Sequence, residues 1–338
     1  MPKIELHRHL EGSLRLTSLV EIAEKHNIMM PEYEVETIRP FVQVLPNQPR
    51  TPQNFMGKFS TLRQFYLSPE VIKRIASEAV IDAAEDNIKY FELRFTPTTL
   101  CTIIKSPPAE AIKWVCESAT QTAKECDITV RFIISMNRHE AIHIAEEVTE
   151  LAIKMQHFGI VGIDLAGIEQ GYMASSFKHV FERGKDAGMN ITLHAGEWEG
   201  AQSVWDAVGN VGGVQRIGHG IRVIEDPGLI SVIRDRGIVL EVCPSSNVDS
   251  GAVPSFEDHP LHKLIEAGIA VTLNTDDPLV SNITLSDEMV RAMNYFGLSL
   301  DDLKRHTITA AHAAFLPDDE RKQLVKQFEN WLHTTENT

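Results

Sequence analysis

Four short apolar runs in this chain each end in residues that can hold a metal ion or work beside one. They are IELHRHLEG (4–12), ITLHAGE (191–197), QRIGHG (215–220) and VTLNTDD (271–277). Three histidines and one carboxylate make a workable zinc set. The chemistry such a set offers is a metal-activated water attacking a small substrate. His7 and His9 are two residues apart, so on a strand both imidazoles point to the same face. Glu11 shares that parity and extends the row. His194 closes the second run. Glu197 follows where the chain turns, a place from which a carboxyl can act as general acid or base without being a ligand. His219 stands between Gly218 and Gly220, which let backbone and ligand approach closely. Asp276 and Asp277 diverge on an extended backbone, so one can bind metal while the other faces substrate.

Each feature has an ordinary explanation when taken alone. Glu197 could open a helix, where carboxylates are favourable. His219 could be a buried histidine bonded to a carbonyl, and Asp276-Asp277-Pro278 could be a turn. What those explanations do not cover is all four features falling at the ends of strand-like runs. The other ten histidines (26, 139, 143, 157, 179, 259, 262, 306, 312 and 333) fall mostly in predicted helices or loops and read as structural or surface residues.

The elements that must position these groups alternate along the chain. Strands are predicted at 4–10, 89–96, 128–135, 160–166, 190–195, 215–219, 238–243 and 270–275. Their near-continuous apolar character suits a parallel sheet covered on both faces. Helical stripes lie between them: Ile112, Val115, Cys116, Ala119 and Ala123, then Ile144, Val148, Leu151 and Met155. Gly188, Gly237 and Gly268 sit where left-handed helix ends belong. Eight such units predict a (β/α)8 TIM barrel with catalytic groups at the strand C-termini. An open doubly wound sheet is the rival, but no phosphate-loop motif follows any strand. Residues 13–87 are too long for one crossover. They read as two or three helices and a loop broken by Pro40, Pro46, Pro49 and Pro52, a lid-like insertion over the barrel mouth. No linker or repeat is visible, so residues 1–338 read as a single domain.

Composition narrows the function. The 338 residues are 43% hydrophobic and 23% charged, ordinary for a globular protein. A net charge of −15 argues against broad nucleic-acid or anionic-membrane binding, which wants a basic surface. Cys101, Cys116, Cys126 and Cys243 form no CxxC, which fits a reducing compartment. No run reaches the length of a membrane span, and no secretory leader precedes the first strand. A cytoplasmic location is the expectation.

The motifs PKIELHRHLEG, FELRFTP, GIDLAG, LHAGE, RIGHG, EVCPSSN and LNTDDP, in this order, resemble the adenosine deaminase family of zinc amidohydrolases over nearly the whole chain. The resemblance implies one zinc ion per chain, bound by His7, His9, His194 and Asp276. It implies that Glu197 protonates purine N1 while hydroxide generated on the ion attacks C6. His219 would orient that hydroxide and help take its proton. Asp277 would face N7, the Gly167 N–H would face N3, and Glu11 and His9 would lie at the sugar end. The implied reaction converts adenosine and 2′-deoxyadenosine to inosine and 2′-deoxyinosine with release of ammonia. The implied partner is a small purine nucleoside, and the oligomeric state is left open. Two positions depart from the pattern. Glu11 stands where the nucleoside enzymes carry Asp, and Ile168 where many carry Asp. Glu11 keeps open free adenine, or a modified adenosine such as aminodeoxyfutalosine or N6-methyl-AMP. A different metallohydrolase on the same barrel is the alternative from another class.

Overall fold

The computed structural model describes residues 1–30 and 32–334. Position 31 of the predicted insertion and positions 335–338 of the predicted domain lie outside the described residues. Eight strands run in sequence: β1 (Lys3–His9), β2 (Ile88–Phe95), β3 (Thr129–Asn137), β4 (Ile160–Ala166), β5 (Asn190–Ala195), β6 (Arg216–His219), β7 (Val239–Val242) and β8 (Val271–Leu273). Each pairs with the next in parallel, in the order β1 to β8. The seam between first and last is closed just past β8. Asp276 N–H donates to the His7 carbonyl at 2.9 Å, and His9 N–H donates to the Asp276 carbonyl at 2.8 Å. The architecture is the expected (β/α)8 barrel, and the open sheet is set aside.

The ring of helices follows the predicted periodicity. Pro108–Glu125 buries Ile112, Val115, Cys116, Ala119 and Ala123, with Pro108 in its first turn where no N–H is needed. The next helix, Ile142–Lys154, is rotated from the expected stripe. Ala145, Val148, Thr149 and Ala152 are buried, while Ile144 and Leu151 are half-buried. Small residues thus sit deepest, letting the helix approach the sheet. Gly188, Gly237 and Gly268 take φ of 81°, 64° and 75°, as left-handed helix ends require. Among the described residues no helix is long and apolar enough to cross a membrane.

The insertion differs from its prediction. It holds four α-helices: α1 (Leu16–His26), α2 (Val35–Val42), α3 (Pro52–Leu62) and α4 (Pro69–Glu85). Pro40 lies inside α2, not in the loop, and its carbonyl accepts from Lys58 Nζ at 2.8 Å. Pro52 starts α3 behind the Thr51 cap. The last helix, α4, packs on Pro108–Glu125 as a member of the barrel's ring and leads into β2. The extra material is therefore shorter than 13–87 and ends near Ser68.

Barrel interiors are commonly filled by layers of branched apolar side chains. This one is charged. Arg94 donates to Glu241 at 2.7 Å and lies 3.4 Å from Asp164. Arg216 pairs with Glu92 and Glu241, both at 2.6 Å. Phe315 packs against Gly162 of β4, where a Cβ would meet its ring at 2.9 Å. The Arg216 guanidinium sits 3.5 Å from its ring centroid. Every one of these charges is buried, so each depends on its partners to offset lost hydration.

Candidate active site

The C-terminal rim brings the predicted ligands together. His7 and His9 come from β1, His194 from β5, and Asp276 from the turn after β8. His7 Nε2 is 3.1 Å from Asp276 Oδ1, and His9 Nε2 is 3.2 Å from His194 Nε2. His9 Nε2 is 3.4 Å from the same Asp276 oxygen. Ligand atoms around a tetrahedral zinc at ~2.0–2.1 Å lie ~3.3 Å apart. One ligand atom from each of the four residues falls within 4.8 Å of the others, so the set can hold one divalent cation.

The far sides of two imidazoles are already occupied. His7 Nδ1 bonds Glu241 at 2.8 Å, and His194 Nδ1 bonds Asp164 at 3.1 Å. A carboxylate on Nδ1 fixes the ring and leaves Nε2 free for a metal. Arg94 joins the two carboxylates, so the charged barrel interior is the scaffold of the rim. Backbone shape contributes as well. His219 and Asp276 both adopt left-handed φ of 61°, which is uncommon for residues with a Cβ and often marks a functional site. Gly218 has no alternative, because a Cβ there would meet His7 Cε1 at 2.9 Å.

Glu197 lies in the same cavity. Its Oε2 is 3.5 Å from His219 Nε2, and Ser250 Oγ donates to Oε1 at 3.3 Å. Burial pushes the Glu197 carboxyl well above the usual carboxylate range, and the charges of Asp276 and Glu169 push it further. The loop carrying it is gripped by Glu169. That carboxylate accepts from the N–H groups of Gly196 (2.5 Å), Glu197 (3.1 Å), Trp198 (2.8 Å) and Glu199 (3.1 Å), and from Ser203 Oγ. Arg138 donates to the His194 carbonyl just before it.

The two adjacent aspartates titrate in opposite directions. Burial acts upward on Asp276, but its bond to His7 and the surrounding imidazoles carry it well below the usual range. Burial pushes Asp277 well above, and Asp276, Glu11 and Glu197 add to the rise. Asp277 Oδ1 is buried without a partner. Gly12 makes room for it, since a Cβ there would stand 2.0 Å from that oxygen. Glu11 is partly committed: Oε1 accepts from Thr96 N–H at 2.7 Å, while Oε2 is buried and unpartnered. Burial pushes its carboxyl up to about 7.

All predicted site residues except His7 line one cavity, and His7 underlies it through Asp276. Gly167 is among the lining residues. Ile168 is not, and its side chain is 39% exposed. Helix α3 supplies Phe55, Met56 and Phe59, and Arg63 follows it at the lip. Leu62, at the end of that helix, and Phe65 just beyond it are buried in the core and do not line the cavity. A larger depression of about 870 Å³ lies elsewhere, along α1; in it Arg15 pairs with Asp82, and none of its residues belongs to a possible metal-holding group among the described residues.

Sequence reasoning did not give a role to Glu241, Arg94, Arg138, Glu169, Arg63 or Trp198. Charges inside apolar strand runs (FELRF, IVLEVC) carry a signal, since buried charges persist only when paired. Glu169 lies in a loop and carries no such mark.

The chain's resemblance can now be set against other proteins. The adenosine deaminase family profile matches residues 2–331. An adenosine deaminase from Klebsiella pneumoniae is 33% identical over 328 residues, 97% of each chain. An amidohydrolase from Burkholderia ambifaria with bound Zn superposes with a TM-score of 0.89 at 25% identity, covering 100% of this chain and 92% of that one. An N6-methyl-AMP deaminase from Arabidopsis thaliana superposes with a TM-score of 0.84 at 27% identity, covering 98% and 96%. With the profile spanning nearly every residue and the rim built as described, the chain belongs to the adenosine deaminase family.

Proposed function

We propose that the chain is a zinc-dependent deaminase that converts adenosine and 2′-deoxyadenosine, with water, to inosine and 2′-deoxyinosine plus ammonia. The observation that carries this reading is a buried Glu197, its carboxyl pushed well above the usual range by burial, in the same cavity as a convergent His3Asp set. His7, His9, His194 and Asp276 would hold the ion. When bound, it supplies a Lewis acid that lowers the pKa of water toward ~7. The Burkholderia protein's bound Zn supports zinc as the metal.

The remaining roles follow from protonation and position. Attack at C6 disrupts the purine ring, so protonation at N1 stabilises the adduct. Glu197 holds a proton for that transfer because burial opposes its ionisation. A protonated Asp277 can donate to N7, an acceptor, where an ionised one would repel it. The Gly167 N–H is assigned to N3. Glu11 and His9 take the sugar end, with Glu11 Oε2 available to a hydroxyl. His219 orients the nucleophile.

One observation favours a second reading, deamination of a modified adenosine 5′-phosphate. Arg63 stands exposed at the lip, and no ion pair to it is seen among the described residues. Arg suits phosphate, and the Arabidopsis neighbour is an N6-methyl-AMP deaminase. A single ultraviolet assay at neutral pH separates the readings. Adenosine, 2′-deoxyadenosine, adenine, aminodeoxyfutalosine and N6-methyl-AMP are each tested with Glu197→Gln as blank. Turnover of adenosine, lost in the variant, is expected. Turnover of N6-methyl-AMP alone would move the substrate, and unchanged turnover in the variant would sink the acid role of Glu197.

A further inference from the structure

Behind His219 lies a short buried chain of polar groups that the reaction, as read above, does not use. Asn247 Nδ2 is 3.0 Å from His219 Nδ1. His259 Nε2 is 3.2 Å from Asn247 Oδ1. Leu261 N–H donates to His259 Nδ1 at 3.1 Å. Asn247 and His259 are buried, and both lie outside the cavity lining.

The polarity of the whole chain is dictated from its far end. A backbone N–H can only donate, so His259 Nδ1 must accept. Neutral His259 then carries its proton on Nε2 and donates to an oxygen of Asn247. That fixes the amide, whose NH2 must face His219. Turning the amide over would set its NH2 against His259 Nε2 and demand an imidazole with no proton at all. His219 Nδ1 must therefore accept, which leaves the proton of neutral His219 on Nε2. That nitrogen faces Glu197 Oε2 at 3.5 Å and Asp276 Oδ2 at 3.9 Å. Burial holds His259 down to about 3, so it stays neutral and able to accept from Leu261.

We propose that Asn247 and His259 are positioning residues that fix the tautomer of His219, so that it presents an Nε2–H donor to the reacting centre. The catalytic meaning rests on the deaminase reading. His219 then orients the nucleophile by donating a hydrogen bond to it and does not take its proton. The proton goes instead to the ionised carboxylate of Asp276, whose Oδ2 lies 3.9 Å from His219 Nε2, because Glu197 already holds the proton it gives to N1. The sequence EVCPSSN supplies the asparagine within the short helix Pro244–Asp249, and DHP supplies the histidine two residues before the helix Leu261–Glu266. Two segments that do not touch substrate are thereby tied to one ring.

The test uses the full chain loaded with zinc and labelled with 15N-histidine. Long-range proton–nitrogen correlation spectra report which ring nitrogen carries hydrogen, and His219→Gln identifies the His219 signals. The wild type is expected to show His219 protonated on Nε2. Asn247→Asp has nearly the same shape but can only accept there, so the proton should move to Nδ1. Zinc content should stay the same, kcat should fall on the order of 100-fold, and KM should stay within about threefold. An unchanged Nε2–H signal with wild-type kcat in that variant would overturn the proposal. If Asn247→Asp does not fold, His259 decides. His259→Phe fills the space beside Phe296, whose ring centroid is 5.4 Å from that of His259, but cannot orient the amide, so mixed tautomers and a reduced kcat are expected. His259→Gln can accept from Leu261 and donate to Asn247, and should restore both readouts. A single tautomer and full kcat in His259→Phe would refute the idea. The spectra need no substrate, so a wild type inactive on every purine would reject the deaminase reading and leave the tautomer assignment standing.

Discussion

The barrel rim and helix α3 face each other across one cavity and are held by different forces. The rim is charged throughout. Its histidines lean on Glu241 and Asp164, and those lean on Arg94 and Arg216, all out of water. The α3 wall is apolar and partly exposed. Phe55 and Phe59 touch at 5.9 Å between centroids, and Phe59 and Met56 are only half-buried. A buried ionic scaffold tolerates little change, because removing one partner strands another charge. An apolar wall loses contact area in small increments. The chemistry is therefore expected to sit with the barrel and the choice of substrate with the insertion.

The comparison breaks first at Glu241. It alone joins His7, Arg94, Arg216 and Thr192. Glu241→Gln keeps the volume but leaves two arginines short of a counter-charge. Zinc affinity should fall about 10–100-fold, the effect of losing a ligand's supporting carboxylate. Competition with a chelating dye measures it. Retained affinity would show that the rim holds its shape without the scaffold.

Glu169 gives the next effect. It does not line the cavity, yet it grips four N–H groups of the Glu197 loop and raises Glu197 by its charge. Glu169→Gln weakens charge-assisted bonds, so kcat should drop roughly tenfold. The pH profile carries the sign. Activity needs Glu197 protonated, so it is present on the acid side and lost as pH rises through the raised pKa. Removing a nearby negative charge lowers that pKa, so the alkaline limb should move to lower pH. A limb that stays in place would assign it to another group.

These two residues also show why the sequence was read unevenly. The eight strands and the His and Asp residues gathered at their ends were legible, because apolar runs have length and such residues at a run's end stand out. Glu241 sat in plain view within IVLEVC, but nothing local says which charge it meets across the barrel. Glu169 was invisible, since four bonds to a loop 27 residues later are a property of the closed fold. Helix boundaries in the insertion failed for the opposite reason. Four prolines suggested a broken loop, whereas Pro40 lies inside α2 and Pro52 sits in the first turn of α3, where proline promotes a helix.

On the α3 side effects should be smaller and of another kind. Phe59→Ala removes part of an apolar wall and no chemistry. KM for a nucleoside should rise roughly fivefold to tenfold, in line with about 1 kcal/mol of lost burial, while kcat stays within about twofold. A loss confined to kcat would mean that α3 shapes the reacting geometry and would blur the division between the two regions.

The smallest effect is expected at a position where the chain departs from its family's pattern. Ile168 and Glu11 both replace an expected Asp, but only Glu11 lines the cavity, with one oxygen on Thr96 N–H and the other unpartnered. Ile168 is 39% exposed, and its backbone N–H is taken by His139 at 3.4 Å. Its side chain therefore has no means of sensing the substrate directly. Ile168→Asp should change kcat/KM for adenosine by less than about twofold, as surface substitutions generally do. Glu11→Asp, one methylene shorter, should alter the ratio of adenosine to adenine turnover, because the carboxyl would have to leave either Thr96 or the cavity. If Ile168→Asp instead changed that ratio more than Glu11→Asp, the loop after β4 would have to close over the substrate, and selectivity would belong to the barrel after all.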